Sequence, residues 1–497
     1  MKVDHSKFRI GFIYPGYENL GIEYLSACLK QRGFSTRLFF DPVLFDESGF
    51  LNNRLLKRVF SSRERILREI DDYSPDIVCF SVISDNYNWA CGWAQEIKKR
   101  KSVPVIFGGI HPSSVPEKSI NNPFVDYVCV GEGDKAIIDL AEALAYGKSG
   151  CDIKNIWAKQ DEKIIKNDLR PLITNLDEIP FADKDLFYAR TPIFNSGYII
   201  STSRGCPYTC SYCCNSVWKN LYAGEKRIVR RRSPENVIRE LKIAKSTYNP
   251  RYINFWDEVF NSDHSWLGDF LPRYAKEIKL PFFCFIYPDL STEKIVRLLK
   301  NSGCYKVQLG VQITDEHKRK HILGRQSSNE AIKMAVSLFK KENIYVVCDA
   351  IFGVPGESDE GLEKTAYFYD ECLPDHIEIF WLRYYPKTNI LEWAFDNGFV
   401  SKEEIEDIEE GKVSGGIVVG SRHSKSLTKK FVLLFYLFHF LPRWLRQLVL
   451  QKKLYRFLPS SFPPISLYIV SRILKRAKYD VNISRTIRRY MYYMLRL

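Results

Sequence analysis

No basic stretch followed by an apolar one opens this chain of 497 residues, so residues 1–12 carry nothing that directs export. A chain that stays in a reducing cytosol is not expected to form disulfides, and its 13 cysteines are read as thiols. The apolar run at residues 431–441 is too short to cross a bilayer, which takes about 20 residues. Acid is nearly missing from one region. Residues 421–497 hold 17 Lys and Arg against one acid, Asp480, a balance of +16 against +14 for the whole chain, which leaves −2 for everything before it. No recognised nucleic-acid reading module accompanies that basic tail, and long apolar runs interrupt its charges, so nucleic-acid binding is the least favoured use of it. With 45% hydrophobic and 27% charged residues, the chain can bury more than one core and form two to four domains.

What is present is a dense cysteine motif, Cys206-Pro207-Tyr208-Thr209-Cys210-Ser211-Tyr212-Cys213. The spacing C-x3-C-x2-C puts three thiolates on one loop, enough for three corners of a 4Fe-4S cluster, with the fourth iron left open. A cluster meant only to carry electrons is normally closed by a fourth cysteine. A zinc site asks for a second C-x2-C pair or a nearby His, and neither follows. Cys214 breaks the spacing and is read as non-ligating. The plain alternative is a set of cysteines that merely pack well.

Periodicity predicts an α/β protein. In residues 1–150, buried parallel strands are expected at 8–14, 76–82, 104–107 and 127–130, with helices at 21–32, 88–100 and 135–146. This is a doubly wound, Rossmann-like domain, which binds ligands at the carboxyl ends of its strands. Ser81, Ser84 and Asp85, Gly108 and Gly109, and Gly131-Glu132-Gly133 lie there. Glycines at strand ends let a large flat ligand approach the backbone, although turns need them too. Residues 151–192 read as an extended, proline-punctuated linker that packs on both neighbours. From 193 to 400, strands at 198–202, 252–256, 282–286, 306–311, 346–352 and 376–382 alternate with helices, among them 235–246, 292–301 and 329–341. Six such units make a partial (β/α)6 barrel of the TIM type, whose chemistry belongs at the strand ends, where the cysteine loop falls. Residues 401–497 form a basic, apolar, helical C-terminal region.

The cysteine motif, with Tyr212 before its last ligand, resembles the signature of the radical S-adenosylmethionine (SAM) superfamily. Membership implies that Cys206, Cys210 and Cys213 bind the cluster and that SAM chelates the open iron. Reductive cleavage of SAM then yields a 5'-deoxyadenosyl radical. The resemblance further implies that Tyr212 packs near the adenine and that Asp257 and Glu258 meet the SAM amino group or shape its pocket. Gln312 stands where many relatives have an acid that reaches the ribose. Arg325 matches a frequent family arginine, with a solvated charge at a helix start as the alternative. Gly353 lies in Phe352-Gly353-Val354-Pro355-Gly356-Glu357, a turn beside the adenine. Lys387 replaces the glycine of a P-G-T turn, so a backbone angle or a substrate contact is expected to differ there.

The first 150 residues resemble the cobalamin-binding domain that precedes the radical SAM core in one subgroup. The pieces are Gly21-Ile22-Glu23-Tyr24-Leu25, Pro75-Asp76-Ile77-Val78, Gly108-Gly109-Ile110-His111-Pro112 and Gly131-Glu132-Gly133, in that order. The D-x-H-x-x-G motif that supplies a histidine to cobalt elsewhere is missing, as is typical of this subgroup. His5 precedes the first strand, and His111 is expected to stabilise its turn. The loop at 84–87 is expected to approach the lower cobalt face.

The resemblance implies a cobalamin-dependent radical SAM methyltransferase acting on an unactivated carbon or on phosphorus. Oxidative ring formation of the anaerobic magnesium-protoporphyrin ester cyclase type, or a membrane-recruited iron-sulfur sensor that does not cleave SAM, are the other readings. Its partners would be a small-molecule or lipid-like substrate and an electron donor such as flavodoxin or ferredoxin. The tail suggests an interfacial helix on an anionic membrane surface, with helical packing on the barrel as the alternative, in an otherwise cytoplasmic protein.

Overall fold

A computed structural model describes residues 4–45, 53–161, 163–412, 425–438, 440–460 and 490–495. Two parallel sheets organise it. The first has seven strands: β1 (Arg9–Pro15), β2 (Ser35–Asp41), β3 (Ile77–Ser81), β4 (Val105–Gly108), β5 (Tyr127–Cys129), β6 (Ile156–Gln160) and β7 (Lys163–Ile165). Their order is β2-β1-β3-β4-β5-β6-β7, with β1 to β5 parallel and β6 and β7 antiparallel at the edge. The reversal of direction between β2 and β3 about β1 places a ligand crevice at the strand ends, as in other doubly wound sheets. Helix Leu20–Gln31, capped by the Asn19 side chain on Ile22 N, buries Ile22 and Leu29 against this sheet together with helix Asp134–Ala145.

The second sheet holds six parallel strands, with a two-stranded antiparallel pair inserted after the first of them. Strand β8 (Gly197–Ile200) leads into β9 (Ser203–Arg204), which pairs antiparallel with β10 (Arg230–Arg231). Then follow β11 (Tyr252–Phe255), β12 (Phe282–Ile286), β13 (Cys304–Gln312), β14 (Tyr345–Phe352) and β15 (His376–Trp381), ordered β15-β14-β13-β12-β11-β8. Parallel strands buried on both faces read as nearly continuous apolar runs, and Val307, Leu309 and Val311 of β13 face the helical layer with Val346, Cys348 and Ala350 of β14. The opposite face of each strand lines the barrel interior.

Two expectations change. Residues 156–165, read as part of an extended linker, form β6 and β7 and lengthen the first sheet. The rest of that segment does bridge the two sheets: Lys184 is 0% exposed, salt-bridged to Glu18 (2.8 Å) and Glu23 (2.7 Å), with its ammonium 4.9 Å from the Tyr198 ring of β8. The second change concerns the tail. Helix Lys425–Phe438 buries Phe431, Leu434, Phe435 and Phe438 in the barrel's outer core, where Phe435 packs on Phe352 and Tyr369. Arg446, in helix Arg443–Gln451, is paired with the buried Asp370 at 2.6 Å. Most of the apolar run expected on a membrane surface is therefore committed to packing. Residues 461–489 of the basic tail lie outside the described residues. Among the described residues no helix is long and apolar enough to cross a membrane.

Candidate active site

The cysteine loop leaves the end of β9 through Gly205, whose φ of +86° and close approach to the Ile228 carbonyl admit no side chain. Its far side is fastened to the barrel rim. Ser211 N donates to the Leu323 carbonyl (3.0 Å), Ile390 N donates to the Ser211 carbonyl (3.0 Å), and a Cβ on Gly324 would lie 2.9 Å from the Thr209 carbonyl. The segment after β13 thus packs directly against the loop. Cys210 is buried, and Cys206 and Cys213 are partly open. Burial pushes the Cys206 thiol up to about 12 and raises Cys210, whereas hydrogen bonding from Cys214 lowers Cys213. Iron binding must therefore drive deprotonation, as metal ligation by thiolates does. Among the described residues no three His, Cys, Asp or Glu side chains converge as a site for a single ion, whereas a four-iron cluster takes one thiolate at each of three corners. Cys214 begins helix Cys214–Leu221.

The other expected SAM contacts divide. Tyr212 packs among Ile313, Leu323, Ile351 and Val354 at the ends of β13 and β14. Gln312 ends β13 with φ +66°, just after a register shift, and its amide lies over Gly310. Such strained positions gather at ligand sites. Arg325 is not a solvated charge: it is 8% exposed, 4.5 Å from the Tyr287 ring, and its charge favours the Cys210 thiolate. Gly353 N donates to Glu357 Oε2 (3.0 Å), and burial raises that carboxyl to about 7. Lys387 keeps the positive φ (+57°) its turn requires, and its ammonium pairs with Glu409 at 2.6 Å. Asp257 sits deeper than its neighbour Glu258. Its carboxylate, in a residue 1% exposed, accepts from Thr202 N (3.1 Å), Thr202 Oγ1 (2.7 Å) and Ser203 Oγ. These bonds stitch the end of β8 to β11 and leave Glu258 as the open acid of the pair.

Between the two domains lies a cavity of about 410 Å³. Ser81, Gly108, Gly109, Gly131, Glu132 and Gly133 form its floor, and Ser201, Gly205, Trp218, Trp256 and Glu258 face them from the barrel. Trp256 is 51% exposed into this space. Ser84 and Asp85 are not among the walls. Ser84 Oγ is bonded to His111 Nδ1 (2.9 Å) and Asp85 to Arg383 (3.0 Å), so the 84–87 loop is folded back as a turn and does not reach the floor. His111 itself is buried against Tyr87, and desolvation lowers it to about 4, which fits a turn-stabilising residue.

Sequence reading missed the clasp on the cavity's edge. Arg204 forms a bidentate pair with Asp134 (2.8 and 2.9 Å), Arg230 bonds Glu132 (2.8 Å), and Tyr222 Oη accepts from Glu132 N (3.0 Å). The partners come from different domains, and only the position of Arg204, two residues before Cys206, hinted at them. The apolar walls and the side-chain-free floor at Gly108 and Gly133 fit a corrin lying flat over the strand ends.

A doubly wound domain faces a six-stranded partial barrel across this cavity, the arrangement expected of a B12-binding domain set before a radical SAM core. Residues 10–141 match the B12 binding domain and residues 200–368 match the Radical SAM superfamily. An uncharacterized methyltransferase of Pyrococcus horikoshii is 29% identical over 352 residues, 69% of this chain and 73% of that one. The anaerobic magnesium-protoporphyrin IX monomethyl ester cyclase of Rubrivivax gelatinosus is 25% identical over 428 residues, 81% of this chain and 72% of that one. The solved structure of the cobalamin-dependent SAM radical enzyme OxsB with aqua-cobalamin shares the fold at a TM-score of 0.68 and 15% identity, covering 98% of this chain and 80% of that one. The chain belongs to the radical SAM enzymes that carry a B12-binding domain, and its cofactors are a 4Fe-4S cluster, SAM and cobalamin.

Proposed function

We propose that this enzyme transfers a methyl group to an unactivated carbon, or to phosphorus, of a small and predominantly hydrophobic substrate. The observation that supports this is a cavity walled by both domains, apolar on most sides, opening beside the cysteine loop. Bound together, cluster and SAM supply a hydrogen-abstracting radical and cobalamin supplies the methyl group. The chain's task is placement and exclusion of water. In this reading Cys206, Cys210 and Cys213 hold the cluster, and Tyr212, Gln312, Arg325 and Gly353 border SAM with Glu258. The floor residues Ser81, Gly108, Gly109 and Gly131-Glu132-Gly133 carry the corrin, and the Arg204–Asp134 clasp keeps the two floors in register. Residues 1–150 and 193–400 serve as cobalamin and radical regions, joined through 151–192, and helices Lys425–Phe438 and Arg443–Gln451 pack on the barrel.

Similarity to the cyclase keeps ring formation as the second reading. The two differ in products. Protein reconstituted anaerobically with iron, sulfide and cobalamin, then given SAM and dithionite, should form both 5'-deoxyadenosine and S-adenosylhomocysteine, measured by mass spectrometry. Replacement of Cys206, Cys210 and Cys213 by Ala should abolish the deoxyadenosine. Deoxyadenosine without S-adenosylhomocysteine would move the assignment to ring formation.

A further inference from the structure

A second recess, of about 440 Å³, lies beside the cysteine loop and shares only Tyr222 and Ile228 with the interdomain cavity. Cys206 and Pro207 form one wall, and Lys219, Lys226 and Arg227 stand around it. The charges here are unlike their neighbours. Arg204, Arg230 and Arg232 are each matched by a carboxylate, Asp134, Glu132 and Glu240 respectively. Among the described residues the side chains of Lys219, Lys226 and Arg227 make no ion pair and no hydrogen bond. The one acid of the recess, Glu225, already accepts from Leu172 N at 3.2 Å. Since everything before residue 421 sums to −2, three unmatched cations around one opening are a local concentration of charge.

Radical generation needs one electron per SAM cleaved, and nothing in this chain stores it. The electron must enter from outside at a face near the cluster, and a positive collar that reaches a cluster ligand selects a negative donor. We propose that this recess docks an acidic one-electron carrier protein, which reduces the cluster from the Cys206 side. With a flavodoxin as carrier, the hydroquinone gives up one electron to become the semiquinone and the cluster falls from the 2+ to the 1+ state; no bond is made or broken in this step. The proposal rests on the cysteine loop holding the cluster, and does not depend on which substrate is methylated.

The test is stopped-flow reduction of the reconstituted holoenzyme by an acidic flavodoxin hydroquinone and, separately, by dithionite, followed by cluster bleaching over a range of salt concentrations. The triple variant Lys219→Glu, Lys226→Glu and Arg227→Glu should lose tenfold or more in the second-order rate with flavodoxin, together with its salt dependence, the order of effect electrostatic steering produces. Its dithionite rate and iron content should stay at the wild-type level. Calorimetric titration with oxidised flavodoxin should show binding to the wild type and not to the variant. An unchanged flavodoxin rate, or an equal fall with dithionite, would overturn the docking site. Failure of wild-type protein to bleach with dithionite would instead count against the cluster itself.

Discussion

Gln312 holds a left-handed backbone conformation that a residue with a side chain adopts at a cost of about 1–2 kcal/mol, and it does so where β13 shifts register beneath the proposed ribose. Backbone geometry and side-chain chemistry can be separated at this position. Gln312→Gly keeps the conformation without strain and removes the amide, and Gln312→Ala removes the amide and retains the strain. Both should weaken SAM binding about tenfold, the value of one lost hydrogen bond of roughly 1.4 kcal/mol, measured by equilibrium dialysis on anaerobic protein. The alanine variant alone should also lose about 1 kcal/mol of stability relative to the glycine variant in urea. Unchanged SAM binding in both would remove Gln312 from the site. Lys387 is the related case: lysine occupies a glycine-like angle, and its ion pair to Glu409 shows what that side chain does there.

At the scale of elements, the segment between the sheets is anchored by a lysine that no solvent reaches. Lys184 neutralises two buried carboxylates of the first domain, and desolvation already holds Glu23 well above the usual carboxylate range. Lys184→Met keeps the volume and strands both acids, so unfolding in urea should show a loss of about 3–5 kcal/mol at neutral pH. Loss of the ammonium raises the native pKa of Glu23 further above its unfolded value, and Glu23 escapes the penalty by taking up a proton. The penalty should therefore shrink as pH falls toward 5 and grow as it rises toward 8. A loss below about 1 kcal/mol, flat with pH, would mean the charges are not coupled.

The same scale shows what the sequence made legible. All six barrel strands and β1, β3, β4 and β5 were readable, because parallel buried strands are short continuous apolar runs. Strand β2 was missed because Ser35, Thr36 and Arg37 open it with polar side chains, and β6 and β7 because Gln160 and Lys163 at the turn of this hairpin face water. The cysteines and floor glycines were legible from spacing. The Arg204–Asp134 pair was not, since its partners lie 70 residues apart and meet only after both domains have folded. At Asp257, likewise, only the structure shows that its carboxylate accepts hydrogen bonds from Thr202 and Ser203.

For the whole molecule, the decisive feature is that neither domain contains the reaction space alone. The cavity exists because the barrel's Trp218, Trp256 and Glu258 stand over the strand ends of the first sheet, fixed there by the Arg204 clasp and by Lys184. If that space houses the corrin, narrowing it from the floor should exclude cobalamin without harming either domain. Gly108 permits this. A Cβ there meets its nearest neighbour, the Cys129 Cβ, at an ordinary 3.5 Å, and its φ is not of the left-handed kind. Gly109 does not, since a Cβ would lie 2.7 Å from the Val82 carbonyl at φ +103°. Gly108→Leu should therefore fold with wild-type melting temperature and iron content and fail to take up cobalamin, read from the visible spectrum after gel filtration. Gly109→Leu should be unstable whether or not cobalamin is supplied. Cobalamin uptake by Gly108→Leu at the wild-type level would show that the corrin lies elsewhere, and would leave the cavity to the substrate alone.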